Sequence, residues 1–376
     1  MRAGFDAKRA AANNTGLGNY SRSLIEALST RFPDNEYLLY VPKPKENPRL
    51  KEIRSRENIR FVYPQTAFGK LFGSYWRSRG MIRDLQRDRI DVFHGLSNEI
   101  PVGIQKTGIK TAVSIHDLIF LRYPHLYRPI DRKIYRSKFL YACRNSDVII
   151  AVSECTKRDI VSFFNIPEEK IKVVYQSCRE SFSKTYSGER KSEIKEKYRL
   201  PDKFLLNVGS MEERKNLLLI VKALKEIDPD IHLVAAGKST PYVHDVMKYV
   251  NDNNLQHRVH LLHEVSFSDL PVLYHSARLF IYPSFFEGFG IPVIEALNSG
   301  IPVIAATGSC LEEAGGPGSA YVDPNDEKEL ARMINVILYD PDLQHKMIAG
   351  GKQYTERFLP DRIADDVMNV YSSLFD

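Results

Sequence analysis

The chain has 376 residues, 43% of them hydrophobic and 27% charged, the balance of an ordinary globular protein long enough for two packed cores. No run approaches the roughly 20 apolar residues that a membrane-spanning helix needs, and the opening MRAGFDAKRAAANN has no apolar core of a signal peptide, so a cytoplasmic protein is expected. The net charge of +6 is unevenly placed, with 32 Lys/Arg against 19 Asp/Glu in residues 1–183 and 21 against 28 in the rest, so the first half is expected to face something anionic: phospholipid, a lipid-phosphate acceptor or nucleic acid.

Near the N-terminus, Asn13-Asn-Thr-Gly16-Leu-Gly18-Asn-Tyr20 runs into a helical stretch at 21–28. A glycine loop entering a helix can hold an anion on its free N–H groups. It is not the Gly-x-Gly-x-x-Gly dinucleotide fingerprint, because Ser21 stands where the third glycine belongs, and it has no Gly-Lys-Ser/Thr. Strand-like runs follow at 37–41 and 59–62. Residues 68–89 combine Phe72, Tyr75 and Trp76 with Lys70, Arg77, Arg79, Arg83, Arg87 and Arg89. Such a segment either lies on anionic lipid or docks on its own sheet through Met81, Ile82 and Leu85.

Further strands are expected at 91–94, 111–115, 147–152 and 172–175. His116 and Asp117 close the one at 111–115, at a carboxyl end. A lone histidine is usually structural, but loops after the carboxyl ends of parallel strands are where ligands collect. Residues 118–144, which follow Asp117, are aromatic and basic, with Arg122, Tyr127 and Arg128 at the near end; together with Asp117 they suit an acceptor-facing surface or a plain solvated helix. Residues 181–199 are polar and rich in Lys, Glu and Ser without a strand signal, which marks a domain boundary near 183.

A second strand series is expected at 204–208, 231–236, 259–262, 279–282 and 302–306, again alternating with helical stretches, so both halves read as α/β domains with parallel sheets facing across a cleft. After the strand at 204–208 comes Gly209-Ser-Met-Glu-Glu-Arg214-Lys215-Asn216. Two cations where a helix begins oppose its dipole, so either a bound anion such as a diphosphate explains them or they are ordinary exposed side chains. The richest loop is Pro283-Ser-Phe-Phe-Glu287-Gly-Phe289-Gly290-Ile291-Pro-Val-Ile-Glu295-Ala-Leu-Asn-Ser-Gly300. Pro292 suits a first helical turn and Gly300 a left-handed stop, which places Glu287 in the loop and Glu295 in the helix. Paired glutamates accept hydrogen bonds from vicinal hydroxyls; the bland alternative is two surface acids. From 325 onward only helical periodicity remains, and Ile363, Val367, Val370, Tyr371 and Leu374 give a final helix one apolar face. The cysteines at 143, 155, 178 and 310 match no disulfide or metal spacing.

Taken together, Phe-Glu287-Gly-Phe-Gly-Ile-Pro-Val-Ile-Glu295-Ala, Arg214-Lys215-Asn216, the Gly16/Gly18 loop, His116-Asp117 and Val152-Ser153-Glu154 resemble the retaining family 4 glycosyltransferases, whose architecture is the two-Rossmann-domain GT-B fold. The resemblance spans essentially the whole chain. It implies an acceptor-side domain at 1–183, a nucleotide-sugar-binding domain at 184–358 and a helix at 359–376 that packs back on the first. It further implies that Glu287 contacts the donor sugar, Glu295 the ribose, and Arg214 with Lys215 the diphosphate. Gly209 and the N–H groups of Phe289, Gly290 and Ile291 would approach the donor, Gly16 and Gly18 its phosphates, and His116 the reacting sugar. No metal or other cofactor is implied. His263-Glu264 departs from a glycine that the family often carries there.

The wording of Gly-Leu-Gly-Asn-Tyr-Ser and His-Asp-Leu-Ile is similar to bacterial mannosyltransferases of surface polysaccharide synthesis. That favours GDP-mannose over a UDP-sugar as donor, with a glycan or lipid-diphosphate-linked acceptor, and a cytoplasmic enzyme able to sit peripherally on the inner face of the plasma membrane. The rivals are a nucleotide-sugar epimerase or sugar-phosphate synthase on the same fold, a nicotinamide-dependent dehydrogenase, and a nucleic-acid binder using the basic half. The last leaves the Glu287 loop without a purpose, so no nucleic acid is expected as a partner.

Overall fold

A computed structural model describes all 376 residues. They divide into two compact units, Met1–Ser177 with Phe358–Asp376, and Cys178–Arg357. The change of unit comes a few residues before the polar stretch at 181–199, which itself holds the helix Gly188–Tyr198.

The first unit contains seven parallel strands: β1 (Arg2–Asp6), β2 (Glu36–Tyr40), β3 (Ile59–Val62), β4 (Val92–Gly95), β5 (Lys110–Ile115), β6 (Val148–Ala151) and β7 (Ile171–Val173). Their order is β3-β2-β1-β4-β5-β6-β7. Sequence reading supplies six of them and misses β1, an interior strand. Its sequence RAGFD lacks the β-branched run that marks the others, and its strand state comes from pairing on both sides, with β2 and β4. β6 reads Val-Ile-Ile-Ala and is buried throughout, as expected for a strand covered on both faces by helices.

The second unit holds β8 (Phe204–Val208), β9 (His232–Ala236), β10 (Val259–Leu262), β11 (Leu279–Tyr282), β12 (Val303–Ala306) and β13 (Ala320–Val322) in the order β10-β9-β8-β11-β12-β13. The short edge strand β13 is again absent from the sequence reading. In each sheet the winding reverses once, between β1 and β4 and between β8 and β11. At such a switch point adjacent strands send their connections to opposite faces and leave a crevice at their carboxyl ends.

The last helix, Pro360–Ser372, belongs to the first unit and packs along the helix Gly16–Arg31. It buries Ile363, Ala364, Val367, Val370 and Tyr371 in the same core as Leu24 and Leu28. Arg31 clamps Asp365 through Nε (2.9 Å) and Nη2 (3.2 Å). Residues 67–87 form three short pieces, Ala67–Leu71, Gly73–Tyr75 and Met81–Arg87, with a π turn over Trp76–Gly80, instead of one amphipathic helix. Met81, Leu85 and Trp76 dock on the sheet, and Trp76 Nε1 donates to Asp84 (2.7 Å). Phe68, Leu71, Phe72 and Tyr75 remain 49–70% exposed. No helix is long and apolar enough to cross a membrane. All four cysteines are free and buried.

Candidate active site

The switch point of the second unit gathers the residues singled out in sequence. The loop after β8 carries Gly209, Arg214 and Lys215; the loop after β11 carries Glu287 and leads into the helix Ile291–Asn298. Phe285 N donates to Arg214 O (2.9 Å), which ties the two loops together. Asn216, at a positive φ of 57°, ends the first loop and donates from Nδ2 to Pro283 O (3.3 Å) and Pro324 O (2.7 Å).

Three donors meet on one carboxylate oxygen. Lys215 Nζ lies 2.8 Å, Arg214 Nη1 2.9 Å and the Tyr282 hydroxyl 3.0 Å from Oε1 of Glu287. Lys215 also donates to the Tyr282 hydroxyl (2.6 Å), and Arg214 to Glu212 (2.7 Å) and to the Phe286 carbonyl. Oε2 of Glu287 keeps its lone pairs. Burial acts against the charge of Glu287, but Lys215 and then Arg214 outweigh it and hold the carboxyl at about 2. Burial likewise pulls the Lys215 ammonium down, and Glu287 more than restores it. The cations that looked bare in sequence thus have Glu287 and Glu212 as counter-charges.

Gly290 caps the following helix at φ 123°, and a Cβ there would lie 2.9 Å from Leu311 Cδ2. Pro292 falls in the first turn, and Val293 N already donates to Gly290 O (2.9 Å). Cys310, which carried no signal in sequence, donates its thiol to the carbonyls of Glu287 (2.9 Å) and Phe289 (3.0 Å) and so shapes the loop. Glu295 sits one turn into the helix and accepts from the Tyr274 hydroxyl (3.0 Å). Burial raises its carboxyl to about 7, against the pull of Tyr274 and Arg179. Tyr282, Tyr274, Glu212 and Cys310 are the site residues that sequence reasoning missed; Tyr282 ends β11 and Tyr274 lies within the helix Leu270–Ser276, and their roles exist only through the neighbours they meet.

In the first unit, His116 follows β5. Its Nε2 lies 2.9 Å from Leu96 O, so Nε2 carries the proton and Nδ1 is an acceptor, with Gln176 Nε2 at 3.4 Å. Burial lowers its pKa to about 4 and keeps the ring neutral. Tyr20 packs edge-on against it at 4.6 Å. Gly18 has a packing reason for its identity, since a Cβ would stand 1.8 Å from Asn13 O. Its N–H is taken by Asn13 Oδ1 (3.2 Å), while Gly16 begins the helix with open space around it. Asp117 caps Ile119 N (3.1 Å). Arg122 is bound to the buried Asp159, Tyr127 packs edge-on against Phe120 and Tyr135, and Arg128 precedes the helix Pro129–Asn145. Asp117, Arg122 and Tyr127 thus each have partners within the first unit.

Residues 190–354 match the family model described as Glycosyl transferases group 1, and residues 14–177 match Glycosyltransferase Family 4. Together the two matches take in Gly16, Gly18, His116, Arg214, Lys215, Glu287 and Glu295. The chain is a family 4 glycosyltransferase.

Relatives of this glycosyltransferase include O-antigen chain mannosyltransferase B of Escherichia coli, 25% identical over 96% of both chains. O-antigen chain mannosyltransferase RfbU of Salmonella typhimurium is 31% identical over 68% of both. Among solved structures it resembles HepE of Anabaena in complex with UDP and glucose, with a TM-score of 0.76, 17% identity and 99% of both chains covered. Sucrose-phosphate synthase of Thermosynechococcus elongatus is also similar, with a TM-score of 0.76 and 20% identity over 100% of this chain and 98% of that one. The fold of the family 4 glycosyltransferase is therefore the GT-B pair of Rossmann-like domains.

Proposed function

We propose that this glycosyltransferase moves a mannosyl group from a nucleoside diphosphate sugar, GDP-mannose before a UDP-sugar, to a glycan or lipid-diphosphate-linked acceptor, with retention at the anomeric carbon. The observation that carries the reading is the free Oε2 of Glu287 beside Lys215 and Arg214. A carboxylate held ionised in this way accepts a hydroxyl of the donor sugar, and the two cations face the diphosphate to which that sugar is attached. As the bond from anomeric carbon to phosphate oxygen breaks, negative charge grows on the leaving diphosphate. Preorganised Arg214 and Lys215 stabilise that charge without a metal ion. Glu295 is assigned to the ribose hydroxyls, the N–H groups of Phe289, Gly290 and Ile291 with Gly209 to the donor, and Gly16 and Gly18 to its phosphates. His116, with Nδ1 as acceptor, is assigned to a hydroxyl of the transferred sugar.

Mannose is favoured by the activity in the names of the two Escherichia coli and Salmonella relatives, and a nucleoside diphosphate by the UDP bound in HepE. The exposed Phe68, Leu71, Phe72 and Tyr75 beside Lys70 and Arg79 favour peripheral attachment to an anionic bilayer on its cytoplasmic side, where aromatic rings sit at headgroup depth. The test is a thermal-shift screen of nucleotide sugars followed by transfer in the presence of EDTA. GDP-mannose should stabilise the protein most and transfer should survive the chelator. Stabilisation by no nucleotide sugar would reject the donor reading, and EDTA inhibition reversed by Mg²⁺ would reject the metal-free step. Failure to float with anionic vesicles would remove the bilayer.

A further inference from the structure

The first unit holds His116 from several sides. Its backbone N–H donates to Asn98 Oδ1 (2.9 Å), its carbonyl accepts from Thr156 Oγ1 (3.2 Å), and Nε2 donates to Leu96 O (2.9 Å), while the Tyr20 ring packs edge-on against the imidazole. Leu96 and Asn98 come from the loop after β4, and Thr156 from the helix Glu154–Phe164 after β6. The remaining ring nitrogen, Nδ1, faces Gln176, three residues beyond the end of β7.

Gln176 is only 6% exposed, and a side chain buried to this degree ordinarily has both ends of its amide bonded. Here neither end is well satisfied. Nε2 stands 3.4 Å from His116 Nδ1, beyond the roughly 2.7–3.2 Å of well-made hydrogen bonds from N–H. The histidine fixes which way the amide points: with the ring proton on Nε2, Nδ1 is an acceptor, so the amide nitrogen and not Oε1 must face it. Oε1 accepts from no group of the protein and is not sealed from the surface.

This pair selects a hydroxyl. A phosphate oxygen has no hydrogen to give to Nδ1, and an ammonium has no lone pair for Gln176 Nε2; a hydroxyl supplies both. Entering between the two side chains, it donates to His116 Nδ1 and accepts from Gln176 Nε2, which exchanges one long contact for two of ordinary length. A vicinal hydroxyl of the same ring then has Oε1 as its acceptor. Burial keeps the imidazole neutral, so both partners are uncharged, as suits a polyol. We infer that Gln176 is a further residue that binds the transferred hexose, its carboxamide and His116 Nδ1 sharing one hydroxyl of the ring. The inference rests on the assignment of His116 to the donor sugar and deepens it by adding a residue that senses which carbons bear hydroxyls.

The experiment is calorimetric titration of the full-length protein with GDP, GDP-mannose and the monodeoxy forms of GDP-mannose. Gln176→Met removes both polar atoms at constant length, and Gln176→Asn draws the amide back by one methylene in case the first variant does not fold. Each should bind GDP as the wild type does and lose about fivefold or more in affinity for GDP-mannose, the size of one hydrogen bond. In the wild type at least one monodeoxy form should show the same loss, and in the variants that form should bind no worse than GDP-mannose, while the other deoxy penalties keep their wild-type size. Full GDP-mannose affinity in both variants would overturn the role of Gln176 and leave the donor reading standing, and so would weakened GDP binding in a variant that remains folded. A wild-type protein that binds GDP but gains nothing from the mannosyl group of GDP-mannose would instead sink the donor reading, and the role of Gln176 with it.

Discussion

Tyr371, in the last helix, places its hydroxyl 2.7 Å from Nδ1 of His94, at the carboxyl end of β4. The other nitrogen of His94 lies 2.8 Å from Ser114 Oγ, which in turn meets the Tyr20 hydroxyl at 2.7 Å. Tyr20 is the ring that packs on His116. A buried polar chain thus runs from the closing helix to the loop after β5, and it is satisfied only while that helix is docked.

Both histidines in this region are kept neutral by burial, His94 at about 3 and His116 at about 4. Their folded values lie below the ordinary 6.5, so the unfolded chain binds protons first as pH falls. The stability they permit is complete above about pH 6.5 and is lost toward pH 4, by about 1.4 kcal/mol per pH unit for each group. Urea titrations at pH 7.5, 6, 5 and 4.5 should show this fall in the first unit. Tyr371→Phe should cost about 1–3 kcal/mol at neutral pH by leaving His94 Nδ1 without its partner; a cost near zero would show that water replaces the hydroxyl.

Glu287→Gln should abolish most transfer and also destabilise the second unit by about 3 kcal/mol, because Lys215 and Arg214 would be left as buried cations short of a counter-charge. Replacing Lys215 by Met as well should recover part of that stability and none of the activity. A double-mutant cycle in urea measures the coupling, and strictly additive losses would contradict the ion cluster.

On the proposed assignment of Glu295 to the ribose, nucleotide affinity should rise with pH through about 7, because an ionised carboxylate is the better acceptor of hydroxyls and burial holds this carboxyl at about 7. Calorimetric titration of GDP from pH 5.5 to 8.5 gives the profile, with a several-fold gain expected and a flat line in Glu295→Gln. The stability of the empty protein should move the other way. A raised carboxyl contributes most below its unfolded value of about 4.5 and costs stability as pH climbs to about 7, by roughly 3 kcal/mol at full burial.

Arg122→Met should destabilise the first unit by about 2 kcal/mol, since Asp159 is only 1% exposed as a side chain and its guanidinium partner would be gone. Acceptor KM should change little. A large rise in acceptor KM without loss of stability would return Arg122 to the acceptor surface.

By itself the sequence determined the α/β class, eleven of the thirteen strands and the loop that carries Glu287, because buried parallel strands must be short apolar runs and a helix entry needs its glycine and proline at fixed places. It could not give β1, whose strand state comes from neighbours on both sides, or the three short pieces into which 67–87 breaks. The site divides in the same way. Arg214, Lys215, Glu287, Glu295 and His116 announce themselves by chemistry and by position after a strand. Tertiary structure alone decided that Glu287 is already paired with both cations, that Arg122 belongs to Asp159, and that Gln176 stands beside His116. Charge, burial and partner are properties of residues brought together from distant parts of the chain, and no spacing along it records them.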